Sequence, residues 1–159
     1  FREFTVSNYQ LMMDLIDYCK DNDIDEIMQL SDVQERVNLF NEHTPKAMDQ
    51  IQRCSTVHNN LIFLDLRDEE TIYACNRFLI YALYSECNIS IHQMWGFQKQ
   101  NIVFATGGSI VNRSCQTNIG ELMLKYGGGG HEKAGTCQID IDKADSVKAE
   151  LIESIVANG

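Results

Sequence analysis

Two side chains carry most of the chemistry this sequence can offer, and both stand beside glycines. His131 closes the run Tyr126-Gly127-Gly128-Gly129-Gly130-His131-Glu132-Lys133-Ala134-Gly135. Only ten glycines occur in 159 residues, so four in a row need a reason. Glycine loses the most backbone entropy on folding, and its use is close backbone approach. Such a run lets main-chain N–H groups reach a ligand, with one titratable imidazole beside them. Arg113 lies in Gly107-Gly108-Ser109-Ile110-Val111-Asn112-Arg113-Ser114. Its planar fork suits phosphate or carboxylate, and Ser109, Asn112 and Ser114 add hydroxyl and amide groups.

Several familiar chemistries do not fit these residues. A phosphate loop of nucleotide triphosphatases continues from its glycines into Gly-Lys-Ser/Thr, whereas here His131-Glu132-Lys133 follows. The dinucleotide fingerprint sets its glycines between a strand and the start of a helix, and these follow a helix. His43, His58, His92 and His131 are too scattered for a zinc site, so no metal ligand is assigned to this chain. Ser109 lacks the G-x-S-x-G elbow of a hydrolase nucleophile, and no catalytic residue is assigned either. What remains is recognition of an anionic ligand.

Charge agrees with that. The chain carries 13 basic and 23 acidic residues, a net charge of −10. Between Lys99 and Gly135, however, four basic residues face two acidic ones, against nine and 21 elsewhere. The least acidic stretch holds the glycine run, which suits a small anion better than a duplex. The six cysteines form no C-x-x-C pair and read as reduced thiols, which implies a cytoplasmic setting. No apolar run reaches 18 residues, so no membrane span is expected. The sequence begins at Phe1 without a signal pattern and reads as part of a longer protein.

These residues need a scaffold, and the hydrophobic pattern supplies an α/β one: a mixed β-sheet flanked by helices, preceded by a helical connector. Residues 1–55 read as the connector and 56–159 as the α/β domain. In the connector, Leu11, Met12, Leu15, Ile16 and Cys19 recur at helical spacing. Ser31 and Asp32 cap a further helix through Val33, Val37 and Phe40, and Pro45 is expected to open the next. In the second part, Leu61–Leu66 reads as a buried strand and 71–85 as a helix against the sheet. Ile89–Trp95 and Ile102–Thr106 read as a hairpin turning at Gln100-Asn101. Asn118 caps a helix through Ile119, Leu122, Met123 and Tyr126, with Glu121 completing a capping box. A strand over Thr136–Ile141 and a helix through Ala144, Val147, Leu151 and Ile155 end the chain.

Ser109-Ile110-Val111-Asn112-Arg113, Asn118-Ile119-Gly120-Glu121-Leu122 and Gly127 to Gly135 together resemble the DHH-associated C-terminal domain of the DHH phosphoesterases, most closely the exopolyphosphatase-related proteins. The resemblance covers about residues 56–157, and the first third resembles that family's inter-domain connector. It departs at one place: the family pattern G-G-G-H-x-x-A-A-G meets Ala134-Gly135-Thr136 here. The resemblance implies a site split between domains. An N-terminal DHH domain would hold two divalent metals, usually manganese, and this chain would grip a phosphorylated nucleotide or short single-stranded nucleic acid. Arg113 would pair with a phosphate oxygen, supported by Asn112 and Ser109, while Gly127, Gly128, Gly129 and Gly130 lie along the substrate and His131 hydrogen-bonds near its phosphate. No Asp-His-His triplet occurs in the sequence, so the chain alone is expected to be inactive. A stand-alone nucleotide- or nucleic-acid-binding module is the alternative, and the acidic helical third is available for contact between two copies.

Overall fold

The computed structural model describes residues 4–159. They divide into two compact units, one ending at Lys46 and one running from Ala47 to Gly159.

The first unit is helical. α1 (Asn8–Tyr18) starts where the Ser7 hydroxyl accepts the Gln10 N–H at 3.0 Å. α2 (Ile24–Gln29) opens on a reciprocal capping box between Asp23 and Glu26. α3 (Ser31–Cys54) is a single 24-residue helix. Pro45 therefore lies inside a helix instead of opening one. Proline removes one ladder bond, and the Thr44 hydroxyl adds a donor in that turn by bonding the Phe40 carbonyl at 2.8 Å. The boundary between the units falls just after this proline. The expected apolar stripe of α1 is buried only at Leu11, while Met12 and Ile16 are exposed.

The second unit holds a six-stranded mixed sheet in the order β1-β2-β3-β4-β6-β5. Its strands are β1 (Ser55–His58), β2 (Leu61–Asp65), β3 (Ile89–Trp95), β4 (Ile102–Gly108), β5 (Gly129–His131) and β6 (Ala134–Ile139). Only β2 and β3 run parallel; every other neighbouring pair is antiparallel. A parallel pair needs a crossover, which contains α4 (Leu79–Leu83). α5 (Ile119–Leu124) and α6 (Ala144–Asn158) complete the unit.

The sheet is covered on both faces, and the two-residue period of the strands sorts the core. Leu61, Phe63, Ile89, Ile91 and Phe104 pack with Ile119, Met123, Leu151 and Ile155 of α5 and α6. Ile62 and Leu64 of the same β2 pack oppositely with Ile51, Ile80 and Tyr81. This is why β2 reads as an unbroken apolar run.

Three local expectations are corrected. The helix expected over 71–85 shrinks to Leu79–Leu83. Gln50, almost fully buried, donates to the Thr71 carbonyl at 2.7 Å and accepts the Tyr73 N–H at 3.2 Å. Those bonds hold the segment out of a helix until Asn76, whose side chain accepts the Phe78 N–H at 3.0 Å. The β3–β4 connection is longer than a turn at Gln100-Asn101: it runs from Gly96 to Asn101, with positive φ at Gln98 and Lys99. Part of the glycine run is itself the edge strand β5.

Candidate functional site

The residues singled out by sequence converge on one end of the sheet. β4 ends there and β6 begins there, with Gly107 opposite Ala134. The β5–β6 hairpin turns at Glu132-Lys133, with His131 opposite Ala134. The Gly108 N–H donates to the Lys133 carbonyl at 2.9 Å, which fixes the start of the β4–α5 loop against that turn.

The glycine run divides by role. Gly127 has φ +74°, the left-handed conformation that ends a helix. Its N–H bonds the Leu124 carbonyl at 3.1 Å, and the Gly128 N–H bonds the Met123 carbonyl at 3.0 Å. These bonds close α5. A Cβ on Gly128 would lie 2.1 Å from the Thr136 carbonyl oxygen, so the chain passes β6 at a distance only glycine allows. Gly129 has nothing near its missing side chain. Gly129, Gly130 and His131 form one wall of a cleft of about 350 Å³, whose other lining residues are Asn118, Gly120, Glu121, Leu124 and Glu132.

Arg113, Asn112 and Ser109 are not among the residues lining that cleft; they form the neighbouring β4–α5 loop. Ser109 is buried, and its hydroxyl accepts the Val111 and Asn112 N–H groups at 3.2 and 3.0 Å. Asn112 accepts the Ser114 hydroxyl at 2.7 Å and donates to the Glu86 carbonyl at 3.3 Å. Both side chains are used in shaping the loop. Arg113 is exposed, and its Nε donates to the Ile110 carbonyl at 3.1 Å. Among the described residues its guanidinium has no carboxylate partner.

Four further residues support this arrangement. Lys133 Nζ donates to the Cys115 carbonyl at 3.1 Å, tying the hairpin turn to the Arg113 loop. Buried Asn88 donates to the Ser114 hydroxyl at 2.9 Å and accepts from Asn60 Nδ2 at 2.9 Å. Tyr81 donates to the Gly107 carbonyl at 2.6 Å and contacts the Ser90 hydroxyl at 2.8 Å. Burial pushes the Tyr81 phenol up to about 12, so it remains a donor. Gly120 brings α5 onto β5: a Cβ there would come 2.9 Å from the Gly130 carbonyl oxygen. The Gly120 spacing within the Asn118 helix start was visible in the sequence; the other three act through tertiary contacts that carry no local signal.

A second hollow, about 540 Å³, lies at His58, Asn59, Ala149, Ile152, Glu153 and Val156. It shares no residue with the glycine run.

No family model matches the sequence, and no curated protein does. Solved structures do match. A pGpG-specific phosphodiesterase, PggH, from Vibrio cholerae aligns with all of this chain at 65% identity and a TM-score of 0.91. The chain spans 54% of that protein's length. An exopolyphosphatase-related protein from Bacteroides fragilis shares the fold at a TM-score of 0.57 and 16% identity, over 94% of this chain and 43% of that one. So does the DHH domain of a member of a ribosomal protein family, at 0.51 and 13%, over 73% of this chain and 31% of that one.

Proposed function

The chain belongs to the DHH phosphoesterase family as a DHH-associated domain, and we propose that it is the substrate-gripping half of such an enzyme, acting on a short guanine dinucleotide of the pGpG type. The observation that carries this reading is the arginine left free for an anion. The Arg113 guanidinium has no carboxylate partner among the described residues, and its loop is tied by Lys133 to the hairpin that presents His131. Arg113 supplies a fork for phosphate oxygens, and His131 supplies a further hydrogen bond nearby. Ser109 and Asn112 hold the loop that carries Arg113. Gly129 and Gly130 leave bare backbone at the substrate's side, while Gly127 and Gly128 set the corner from which they run. The pGpG class comes from the Vibrio cholerae phosphodiesterase, and the wider class is a phosphorylated nucleotide or short single-stranded nucleic acid.

In this reading residues 1–55 are the connector and 56–159 the substrate-binding domain, partnered by an N-terminal DHH domain. The manganese pair that the resemblance implies is assigned to that N-terminal domain. Among the described residues no three His, Cys, Asp or Glu side chains gather where they could hold a cation. The six free cysteines support a reducing, cytoplasmic setting. No described helix is long and apolar enough to cross a membrane.

The test is equilibrium binding of pGpG to the full-length protein with and without His131→Ala. Losing a hydrogen bond to a charged group weakens binding by about tenfold or more. Unchanged affinity in the variant overturns the role given to His131.

A further inference from the structure

The cleft between α5 and β5 has a lining that a phosphate does not explain. An anion needs donors, yet Glu121 and Glu132 place two carboxylates there. Glu132 is paired with Lys133 at 3.1 Å. Glu121 has no side-chain hydrogen bond or ion pair among the described residues. The contrast with α2 is direct. There Glu26, three residues after its cap, turns back to accept the Asp23 N–H at 3.0 Å. Glu121 holds the same position after Asn118, but only the Asn118 half of the box forms, at 3.2 Å. The Glu121 carboxylate remains available. Asn118 uses its Oδ1 on that cap and keeps its amide Nδ2 as a donor. Leu124, 66% exposed, adds an apolar side chain that stands largely open to solvent among the described residues. Gly120, Gly129 and Gly130 contribute only backbone to the lining.

A free carboxylate, an amide donor, an apolar side chain and bare backbone together complement one edge of guanine. Its N1–H and N2 amino group are adjacent donors, and O6 beside them is an acceptor. Adenine turns an N1 lone pair toward the same carboxylate, which repels it. We infer that this cleft reads a guanine base: Glu121 accepts from N1–H and the N2 amino group, Asn118 Nδ2 donates to O6, and Leu124 covers a ring face. The inference rests on the proposed substrate-gripping role and gives the two neighbouring regions different tasks. The base enters the cleft, and the phosphate lies past His131 at the Arg113 loop.

The experiment measures kcat/KM of the full-length protein for pGpG, its inosine counterpart pIpI and pApA, with Glu121→Gln and Arg113→Ala in parallel. Losing a bidentate base contact lowers discrimination by about tenfold to a hundredfold. Glu121→Gln is expected to lose that much on pGpG and to gain on pApA, because the amide removes the repulsion and can donate to adenine N1. The wild-type protein is expected to prefer pGpG over pIpI, which lacks the N2 amino group, and Glu121→Gln to narrow that preference. A pGpG-to-pApA ratio unchanged in Glu121→Gln overturns the inference, as does a wild-type protein without guanine preference. If Arg113→Ala impairs both substrates while Glu121→Gln leaves the ratio alone, the base assignment fails and the phosphate reading stands. If Arg113→Ala changes nothing, the phosphate reading fails independently.

Discussion

Lys133 and Cys115 join the two halves of the candidate site: the Lys133 ammonium donates to the Cys115 carbonyl at 3.1 Å, across 18 residues of sequence. The bond links the turn after His131 to the loop that carries Arg113. Lys133→Met keeps the alkyl stem and removes the donor. It is expected to cost about 1 kcal/mol in urea unfolding, the net worth of one hydrogen bond. It is also expected to raise KM for a dinucleotide substrate of the full-length protein more than it lowers kcat, because Arg113 then samples more positions.

Neighbouring glycines separate fold from function. A Cβ on Gly128 would meet the Thr136 carbonyl oxygen at 2.1 Å, and one on Gly129 would meet nothing within 4 Å. Gly128→Ala is therefore expected to destabilise by about 3 kcal/mol, at the upper end for overpacking. Gly129→Ala is expected to shift stability by less than about 1 kcal/mol. Paired denaturant curves check this, and equal losses would contradict the close approach of the run to β6.

Acid should weaken the fold through His92, half-buried on β3. Burial lowers its imidazole pKa below the ordinary value of 6.5. Below that value the unfolded chain binds a proton that the folded chain refuses, so the unfolded state gains. Stability from this group is complete above pH 6.5 and declines as pH falls toward the depressed folded value. His92→Gln is expected to flatten the stability profile as pH falls below 6.5, read as the urea midpoint at each pH. A slope identical to wild type would rule His92 out as its source.

Much of this architecture was legible in the sequence because local rules and tertiary contacts agree there. Asn118 caps α5 and Gly127 ends it, as their residue types suggest. The β2, β3 and α6 patterns carry over with small shifts in their ends. Failures occur where distant groups override propensity. Residues 71–78 are apolar enough for a helix, but Gln50 takes the Thr71 carbonyl that a helix starting there would use. Pro45 suggested a helix start, yet α3 continues through it. β1 is short and half-exposed, so Ser55–His58 showed little strand pattern. At the site, Arg113 and the glycine run were visible as types and spacing. The partners that hold them were not: Lys133 reaches Cys115 across 18 residues and Tyr81 reaches Gly107 across 26, contacts that only the folded chain makes.

In this reading the chain grips the phosphate of a substrate cleaved elsewhere in the protein. The deciding measurement is steady-state kcat/KM for pGpG with Arg113→Ala in the full-length protein. A drop of about tenfold to a hundredfold is expected, the worth of a charged hydrogen bond to phosphate, with Arg113→Lys recovering only part of it. A kcat/KM for Arg113→Ala within about twofold of wild type, beside a folded variant, would contradict the account.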